Sequence, residues 1–264
     1  MPTVELSGAL RAEDLASVQP GQNVVLDMSR VTFSYPSGLV AVACLGLDAA
    51  DLEVLWPQDD SQQRYMSRMK LDRLVQTKHG GVPSLPQVQH RSAELCETVI
   101  FHNTGEVDQL ADLVRSHADD AHIPAEWAWA LEEGVWEICV NATTHSEWGG
   151  GVMAAQHYQQ RREIEYSIAD GGIGVRASLV VEYPEITDDA EAILKAREYG
   201  ATRFGQDQRG AGLSETVDQV TELGGRVVIR SGSAIVTFQR AGATTRFTNE
   251  PWHGTLVKVV LPLP

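Results

Sequence analysis

Hydrophobic and polar positions alternate with different periods along the chain, and in its first third they predict a small layered domain. Residues 23–27 form a short apolar run that ends in a carboxylate, as expected of a buried strand. An apolar helix is predicted over 37–47 and a further strand over 52–56. Residues 62–75 place apolar side chains at helical spacing. Residues 3–75 are therefore predicted to fold as one α/β unit.

A segment that suits neither helix nor strand follows this unit. Residues 77–92 hold few large apolar side chains and four residues that interrupt regular structure, namely Gly80, Gly81, Pro83 and Pro86. We predict a linker here, with the domain boundary near residue 88. The chain then consists of a domain over 1–88, which includes the start of the linker, and a domain over 89–264.

The second domain is predicted to centre on one long helix. Pro124 suits the first turn of a helix that runs to about His145, because the missing N–H of proline would be unpaired there. The apolar stripe of this helix consists of Leu131, Val135, Ile138 and Ala142. Strands are predicted over 152–158 and 163–169, helices over 190–199 and 213–223, and two or three strands at the end of the chain. The fold class is α/β, of the α+β type.

Composition and charge exclude several functions. The 264 residues are 43% hydrophobic and 22% charged, and Lys plus Arg (21) against Asp plus Glu (36) gives a net charge of −15. Such an excess of carboxylates repels a nucleic-acid backbone. The longest apolar stretch, 38–47, is half of the ~20 residues that a membrane span needs. We expect a cytoplasmic protein with no nucleic-acid or membrane partner.

Cysteines and histidines give no metal or disulfide pattern. Cys44, Cys96 and Cys139 are widely spaced and form no C-x-x-C pair, so buried free thiols are expected. The histidines lack H-x-x-x-H spacing, and the chain has no G-x-x-x-x-G-K-[ST] string. Zinc-dependent proteases and P-loop nucleotidases are therefore excluded.

The first candidate for chemistry is a polar row on the long helix. Glu137, Asn141 and His145 are four residues apart, so all three project from one helix face. A carboxylate, an amide and an imidazole are costly to bury without partners. Taken alone, the E-x-x-x-N spacing indicates no more than a solvated helix face.

Two glycine-rich turns and a terminal strand accompany this row. Asp170 to Gly174 (D-G-G-I-G) directly follows a predicted strand, and its glycines let the backbone approach a ligand closely. Arg209 to Leu213 (R-G-A-G-L) begins a helix, whose N-terminus offers free N–H groups to phosphate. Gly254 to Pro262 is an alternating strand that starts with the hydroxyl of Thr255.

In this order, E-x-x-x-N-A, D-x-G-x-G, R-G-x-G-L and G-T-x-x-x-x-x-L-P resemble the GHKL superfamily of ATP-binding domains. That superfamily includes gyrase, Hsp90 chaperones, histidine kinases and MutL, and the bacterial anti-sigma-factor kinases are close relatives. The resemblance covers residues 126–262. It implies a two-layer fold in which a mixed sheet lies under helices, and ATP with Mg²⁺ bound between the long helix and a lid.

The same resemblance implies roles for individual residues. Glu137 corresponds to the catalytic residue that polarises the nucleophile, and Asn141 to the Mg²⁺ ligand. Asp170 corresponds to the residue that binds the adenine amine. The remaining nucleotide-binding positions are Gly172 and Gly174 beside the base, Gly210 and Gly212 at the phosphates, and their neighbours Arg209, Leu213 and Thr255.

Residues 182–209 have the features of a mobile lid. Five carboxylates lie within 182–191, and four polar or basic residues then approach the phosphate loop. These are Arg197, Thr202, Arg203 and Arg209. An arginine here is suited to cover the γ-phosphate, and a solvated helix face is an equal alternative for Arg197.

The first domain has a resemblance of its own. Residues 25–39 resemble the STAS domain of anti-sigma-factor antagonists, in which a strand ends in an aspartate–serine–serine–glycine turn that starts a helix. The first serine of that turn accepts phosphate from the partner kinase. When the motif is laid on Ser37 and Gly38, Tyr35 takes the aspartate position and Pro36 the acceptor position. Ser34 and Ser37 remain as substitutes, and a helix N-cap is the favoured interpretation of Ser37.

Several functions stay open. Gly172 to Ala177 also satisfies the G-x-G-x-x-A dinucleotide pattern, although an acidic loop follows where a second strand is required. A sensor histidine kinase is disfavoured, because no clear dimerisation and phosphotransfer helix with an acceptor histidine precedes the ATP-binding motifs. His117 and His122 are expected to face solvent near helix ends. The function indicated is an ATPase or serine/threonine-kinase-like regulator in bacterial signalling with a protein partner. A non-catalytic ATP-gated switch is the alternative, and a homodimer remains open.

Overall fold

The computed structural model describes residues 1–15, 17–18, 21–49, 51–79, 95–146, 149–198 and 212–264. It confirms the mixed α+β class, with one parallel sheet and one antiparallel sheet. The predicted boundary at residue 88 lies outside the described residues. None of the helices in the described ranges is long and apolar enough to span a membrane.

The first sheet has three parallel strands in the order β1-β2-β3. They are β1 (Thr3–Leu10), β2 (Asn23–Ser34) and β3 (Asp51–Leu55), with a short 3₁₀ helix at Ala12–Leu15. The helices are α1 (Pro36–Asp48), α2 (Asp60–Arg68) and α3 (Leu71–His79). The predicted 62–75 helix is thus two helices. Lys70, between them, has a left-handed φ of 56° and interrupts the helical backbone.

Helix α1 is the most buried helix of this part. Every residue from Pro36 to Gly46 is buried, and the sequence P-S-G-L-V-A-V-A-C-L-G has no charged position. A helix that is apolar on all sides must be covered on all sides. Gly38 shows how close this packing is, since a Cβ there would lie 2.6 Å from the carbonyl oxygen of Leu10.

The second sheet has five strands in the order β4-β5-β6-β8-β7, and each neighbouring pair is antiparallel. They are β4 (Cys96–Phe101), β5 (Gly151–Tyr158), β6 (Glu163–Asp170), β7 (Arg226–Gln239) and β8 (Gly242–Pro262). The helices are α4 (Thr104–Asp120), α5 (Ala125–His145), α6 (Gly174–Leu179), α7 (Asp189–Ala196) and α8 (Gly212–Glu222).

One face of this sheet packs against its own helices. Met153, Tyr166 and Val259 point from the sheet into a core that also receives Leu131 and Val135 of α5. The predicted stripe of α5 is therefore confirmed as core. Cys44, Cys96 and Cys139 are buried and free, as expected, and burial raises the pKa of each thiol.

The opposite face of the same sheet packs against the first part of the chain. Val152 and Ala154 of β5, Ala169 of β6 and Leu256 of β8 share one apolar cluster with α1 and the first sheet. Successive residues of a strand point to opposite faces, so these positions alternate with the ones that face α5. Helix α1 therefore lies between the two sheets and belongs to the core of both.

Polar and aromatic contacts fix the N-terminus of α1 on this face. The carboxylate of Glu165 on β6 lies near the backbone N–H of Ser37 and forms an ion pair with Lys258, with 3.3 Å between Oε1 and Nζ. Burial raises the pKa of Glu165, which the Lys258 ammonium opposes. A carboxylate at a helix N-terminus is favoured by the helix dipole.

An aromatic cluster lies beside this ion pair. Phe33 and Tyr35 from the first part meet Tyr158 from β5, with ring centroids 4.8 to 6.4 Å apart. The guanidinium of Arg161 lies over all three rings at 5.0 to 5.7 Å and donates to the Tyr35 hydroxyl at 3.3 Å. Residues 33–37 are therefore held against the second sheet.

The structure corrects two local expectations about helix starts. Ser37 is not the N-cap of α1: the cap is Tyr35, Pro36 occupies the first helical turn, and Ser37 is buried within the helix. Proline is favourable in the first turn of a helix because it has no N–H that needs a capping partner. Pro124 is correspondingly the N-cap of α5 rather than part of its first turn. The closing strands number two in the described residues.

Candidate functional site

A cleft opens at one end of the second sheet, between α5, α6, α7 and α8. It contains about 1030 Å³ of space between its walls, including the part that is open to solvent. Eight polar or glycine-turn positions of the sequence analysis line it: Glu137, Asn141, His145, Asp170, Gly174, Gly212, Leu213 and Thr255. Sequence motifs that are up to about a hundred residues apart thus meet in one place.

One wall of the cleft is the polar row of α5. Glu137, Asn141 and His145 are half-buried, whereas Ile138 and Ala142 are buried in the core behind them. The four-residue spacing keeps the row on one face, because an α-helix has 3.6 residues per turn. The row is therefore an inner wall of a cleft, not a fully solvated helix face.

Asp170 forms the floor of the cleft at the end of β6. It pairs in register with Thr255 of β8, and its Oδ1 accepts the N–H of Gly172 at 2.8 Å. Burial raises the pKa of Asp170 to about 6, although the N–H groups of Gly172 and Thr255 and the nearby His253 act in the opposite direction. A carboxyl in a cleft whose pKa is shifted towards neutrality is a candidate ligand-binding group.

Two glycines bring the backbone close to Asp170. Gly174 and Gly254 have left-handed φ values of 79° and 80°, which side chains rarely adopt. A Cβ on Gly254 would collide with the backbone of Asp170, and one on Gly174 would lie 2.8 Å from Ser231 Oγ. Gly172 is buried in the same turn but does not line the cleft.

The carboxylate of Glu137 lies directly against the N-terminus of α8. A Cβ on Gly212 would overlap the carboxylate oxygens, so the Glu137 side chain would have to move if residue 212 carried a side chain. The positive end of a helix dipole favours the carboxylate at this position. Leu213 lines the same wall. Arg209 and Gly210, which belong to the same predicted motif, lie outside the described residues.

The apolar wall of the cleft did not stand out in the sequence. It is formed by Ile168, Leu179, Ile193, Ala196 and Ile229. These residues come from β6, α6, α7 and β7. In the sequence they look like ordinary core positions, and only the helical spacing of 190–196 gives a signal.

The predicted lid region contains local structure in its described part, 182–198. Asp188 caps α7 by accepting the N–H groups of Ala190 and Glu191, both at 2.9 Å. Arg197 binds Asp218 of α8, with 2.6 Å between Nη2 and Oδ1. Arg197 therefore links α7 to α8. Thr202, Arg203 and Arg209 lie outside the described residues.

Topology and burial bear on the dinucleotide pattern and on the two histidines of the sequence analysis. The strand before Gly172 has antiparallel neighbours on both sides, and α6 has six residues, so the parallel β-α-β unit of a dinucleotide site is not present here. His122 is exposed as expected. His117 is half-buried instead, with Nδ1 2.8 Å from the carbonyl oxygen of Leu95.

Comparison with known proteins adds only weak structural likeness. No protein-family model and no curated protein sequence matches the chain. A solved structure of the mycobacterial sensor histidine kinase MprB is similar over 63% of this chain and 98% of its own, with 19% identity and a TM-score of 0.35. A likeness at this level supports no inference about function, so the chemistry of the cleft has to carry it.

We expect the buried Asp170 carboxylate to lower the stability of the nucleotide-free protein. A carboxyl whose pKa rises from 3.8 to about 6 on folding destabilises the folded state above pH 6 by about 1–3 kcal/mol. Asp170→Asn should therefore raise the free energy of unfolding at pH 7.5. The gain should shrink as the pH falls from 6 towards 4, since the Asp170 carboxyl of the folded protein is then protonated and no longer carries a buried charge.

Urea unfolding of both proteins at pH 7.5 and pH 5 measures this gain. Asp112→Asn, an exposed carboxylate on α4, is the matched control and should change stability little at either pH. An Asp170→Asn variant that is less stable than wild type at pH 7.5 would contradict the expectation.

Proposed function

We propose that the cleft binds an adenine nucleotide with Mg²⁺ and that the chain transfers the terminal phosphoryl group to water or to a protein hydroxyl. The observation that carries the proposal is the meeting of three unlike groups in one cleft: the Glu137 and Asn141 row, the Asp170 and Thr255 pair, and the glycine at the start of α8. Each suits a different part of one nucleotide.

The Asp170 end suits the base. An ionised carboxylate accepts the exocyclic amine of adenine, and the hydroxyl of Thr255 lies beside it in register. Ile168, Ile229 and Val257 supply apolar surface for the ring. The glycine turn after Asp170 leaves room for a base, since it carries no side chain at residues 171, 172 and 174.

The Glu137 end suits the phosphates. The N-terminus of α8 attracts anions, and the Glu137 carboxylate lies against it. Asn141 is one turn along the same helix and offers an amide oxygen to Mg²⁺. The described residues contain no group of three or more His, Cys, Asp or Glu that could hold a metal alone. Asn141 would therefore share the ion with phosphate oxygens.

Phosphoryl transfer requires mainly that charge is neutralised and that the reactants are positioned. Bound Mg²⁺ neutralises the phosphate charge, which is the main electrostatic requirement of phosphoryl transfer. Glu137 orients the attacking hydroxyl and accepts its proton. The N–H groups at the start of α8 stabilise charge on the transferred group. Asp170 and Thr255 fix the base, so that the reacting end is positioned along the cleft.

The first part of the chain serves as a docked regulatory unit in this proposal. Its helix α1 shares a core with the sheet that carries Asp170, and residues 33–37 contact Tyr158, Arg161 and Glu165. Nucleotide binding at the end of β6 can thus change the surface that this unit offers to a protein partner. A non-catalytic switch would use the same contacts without turnover.

Asp170→Asn should weaken ATP binding by about 1–3 kcal/mol, because a charge-assisted hydrogen bond to the adenine amine is lost. Wild-type affinity should also fall as the pH drops through about 6, where the Asp170 carboxyl takes up a proton. Titration calorimetry with ATP·Mg²⁺ between pH 5 and 8 measures both effects. Unchanged affinity in the variant would refute this role for Asp170.

Glu137→Ala should leave ATP affinity within a few-fold of wild type and abolish turnover, because the lost interaction belongs to the transition state. Asn141→Ala should lower both affinity and turnover through the metal. Phosphate release and phosphotransfer to candidate substrates are measured with each variant. If wild type and Glu137→Ala turn over ATP equally slowly, the non-catalytic switch is the correct function.

The first unit should not be phosphorylated by the second. Pro36 has no hydroxyl, Ser34 and Ser37 are 1% exposed, and Tyr35 is held by Arg161. Incubation with labelled ATP and peptide mass spectrometry should find no phosphate on Ser34, Tyr35 or Ser37. Stoichiometric phosphate on any of these residues would refute the proposal of a docked regulatory unit. The first unit would then be a substrate for phosphorylation.

A further inference from the structure

Strand β7 contains an irregularity at Ser231 and Gly232, next to the floor of the cleft. Ser231 is opposite Thr255 of β8, and Thr255 is opposite Asp170 of β6. Three polar residues therefore form one row across three neighbouring strands. Ser231 is the innermost of them, with 2% of its surface exposed, and it does not line the cleft.

The hydroxyl of Ser231 makes two hydrogen bonds, one as a donor and one as an acceptor. Its O–H donates to the carbonyl oxygen of Gly254 at 2.8 Å, and its Oγ accepts the N–H of Val175 at 2.9 Å. Gly254 belongs to β8, and Val175 belongs to the first turn of α6. One buried side chain thus ties the helix that follows the Asp170 turn to the strand that carries Thr255.

The backbone is closely packed around these two hydrogen bonds. Gly254 lies against the backbone of Asp170 and Gly172, and a Cβ on Gly174 would meet Ser231 Oγ itself. If the hydroxyl is removed, the N–H of Val175 and the carbonyl of Gly254 lose their partner inside the protein. Buried backbone groups without partners are strongly disfavoured, so the turn must shift.

We propose that Ser231 is a positioning residue for base recognition: it holds the 170–174 turn so that the Asp170 carboxylate meets the exocyclic amine of adenine. This inference rests on the proposed nucleotide function and deepens it. Because both hydrogen bonds of Ser231 go to protein backbone, it acts through the turn and not by touching the ligand.

Base selectivity is the readout that separates positioning from general stability. Adenine presents an amine to Asp170 where guanine presents a carbonyl oxygen, which a carboxylate repels. Wild type should therefore prefer ATP to GTP. In Ser231→Ala the ATP-to-GTP affinity ratio should fall about tenfold, since a misplaced carboxylate discriminates less. Calorimetric titration of both nucleotides with Mg²⁺ gives the ratio.

Three controls make the test specific. Ser231→Thr keeps the hydroxyl and should restore most of the selectivity. Ser167→Ala removes a buried serine from β6 whose Oγ has no hydrogen-bond partner in the described structure, and it should leave the ratio unchanged. In the nucleotide-free protein, hydrogen exchange at the Val175 amide should be faster in Ser231→Ala than in wild type or Ser167→Ala.

The outcomes also separate this inference from the function on which it rests. Wild-type selectivity that persists in Ser231→Ala, with unchanged exchange at Val175, would overturn the positioning role alone. A wild type that does not prefer ATP would refute adenine recognition by Asp170. The exchange measurement would then still decide whether Ser231 holds the turn.

Discussion

The whole arrangement depends on helix α1 being apolar on every side. Its residues from Pro36 to Gly46 are buried, so one flank must pack on the first unit and the other on the β5 and β6 face of the second sheet. Hydrophobic burial of this kind is not directional, and it needs polar contacts to set the orientation. The Glu165 carboxylate at the helix N-terminus and the Arg161 aromatic cluster provide them.

This arrangement also determines what surrounds the cleft. With α5 on one face of the second sheet and α1 on the other, β6 is buried along its length and ends at Asp170 in a partly enclosed position. Burial raises the pKa of that carboxyl. It also strengthens any hydrogen bond that the ionised carboxylate makes to a ligand. The glycines of the next turn and the hydroxyl of Ser231 then hold the backbone around it.

The parts of the structure that could be predicted are those with local signals. The E-x-x-x-N helix, the D-G-G-I-G turn after a strand and the Gly212 helix start are short patterns, and the structure brings Glu137, Asp170 and Gly212 into one cleft. Helix α4 has the same kind of signal in Val107, Leu110 and Val114, although it is not among the predicted helices. Ser231 has none, because its partners are 56 and 23 residues away. Nor does the sequence show that α1 faces two sheets, since an apolar helix does not reveal what covers it.

Because α1 is covered by both sheets, substitutions in it are constrained from two sides during evolution. Val40 and Val42 belong to one hydrophobic cluster to which the first sheet and strands β5, β6 and β8 all contribute, so a larger or smaller replacement has to be accommodated by a core that both sheets share. Compensating substitutions would then arise in pairs on opposite sides of the helix. The two halves are for this reason not interchangeable modules: a first half grafted from another protein would bring a helix shaped for a different sheet.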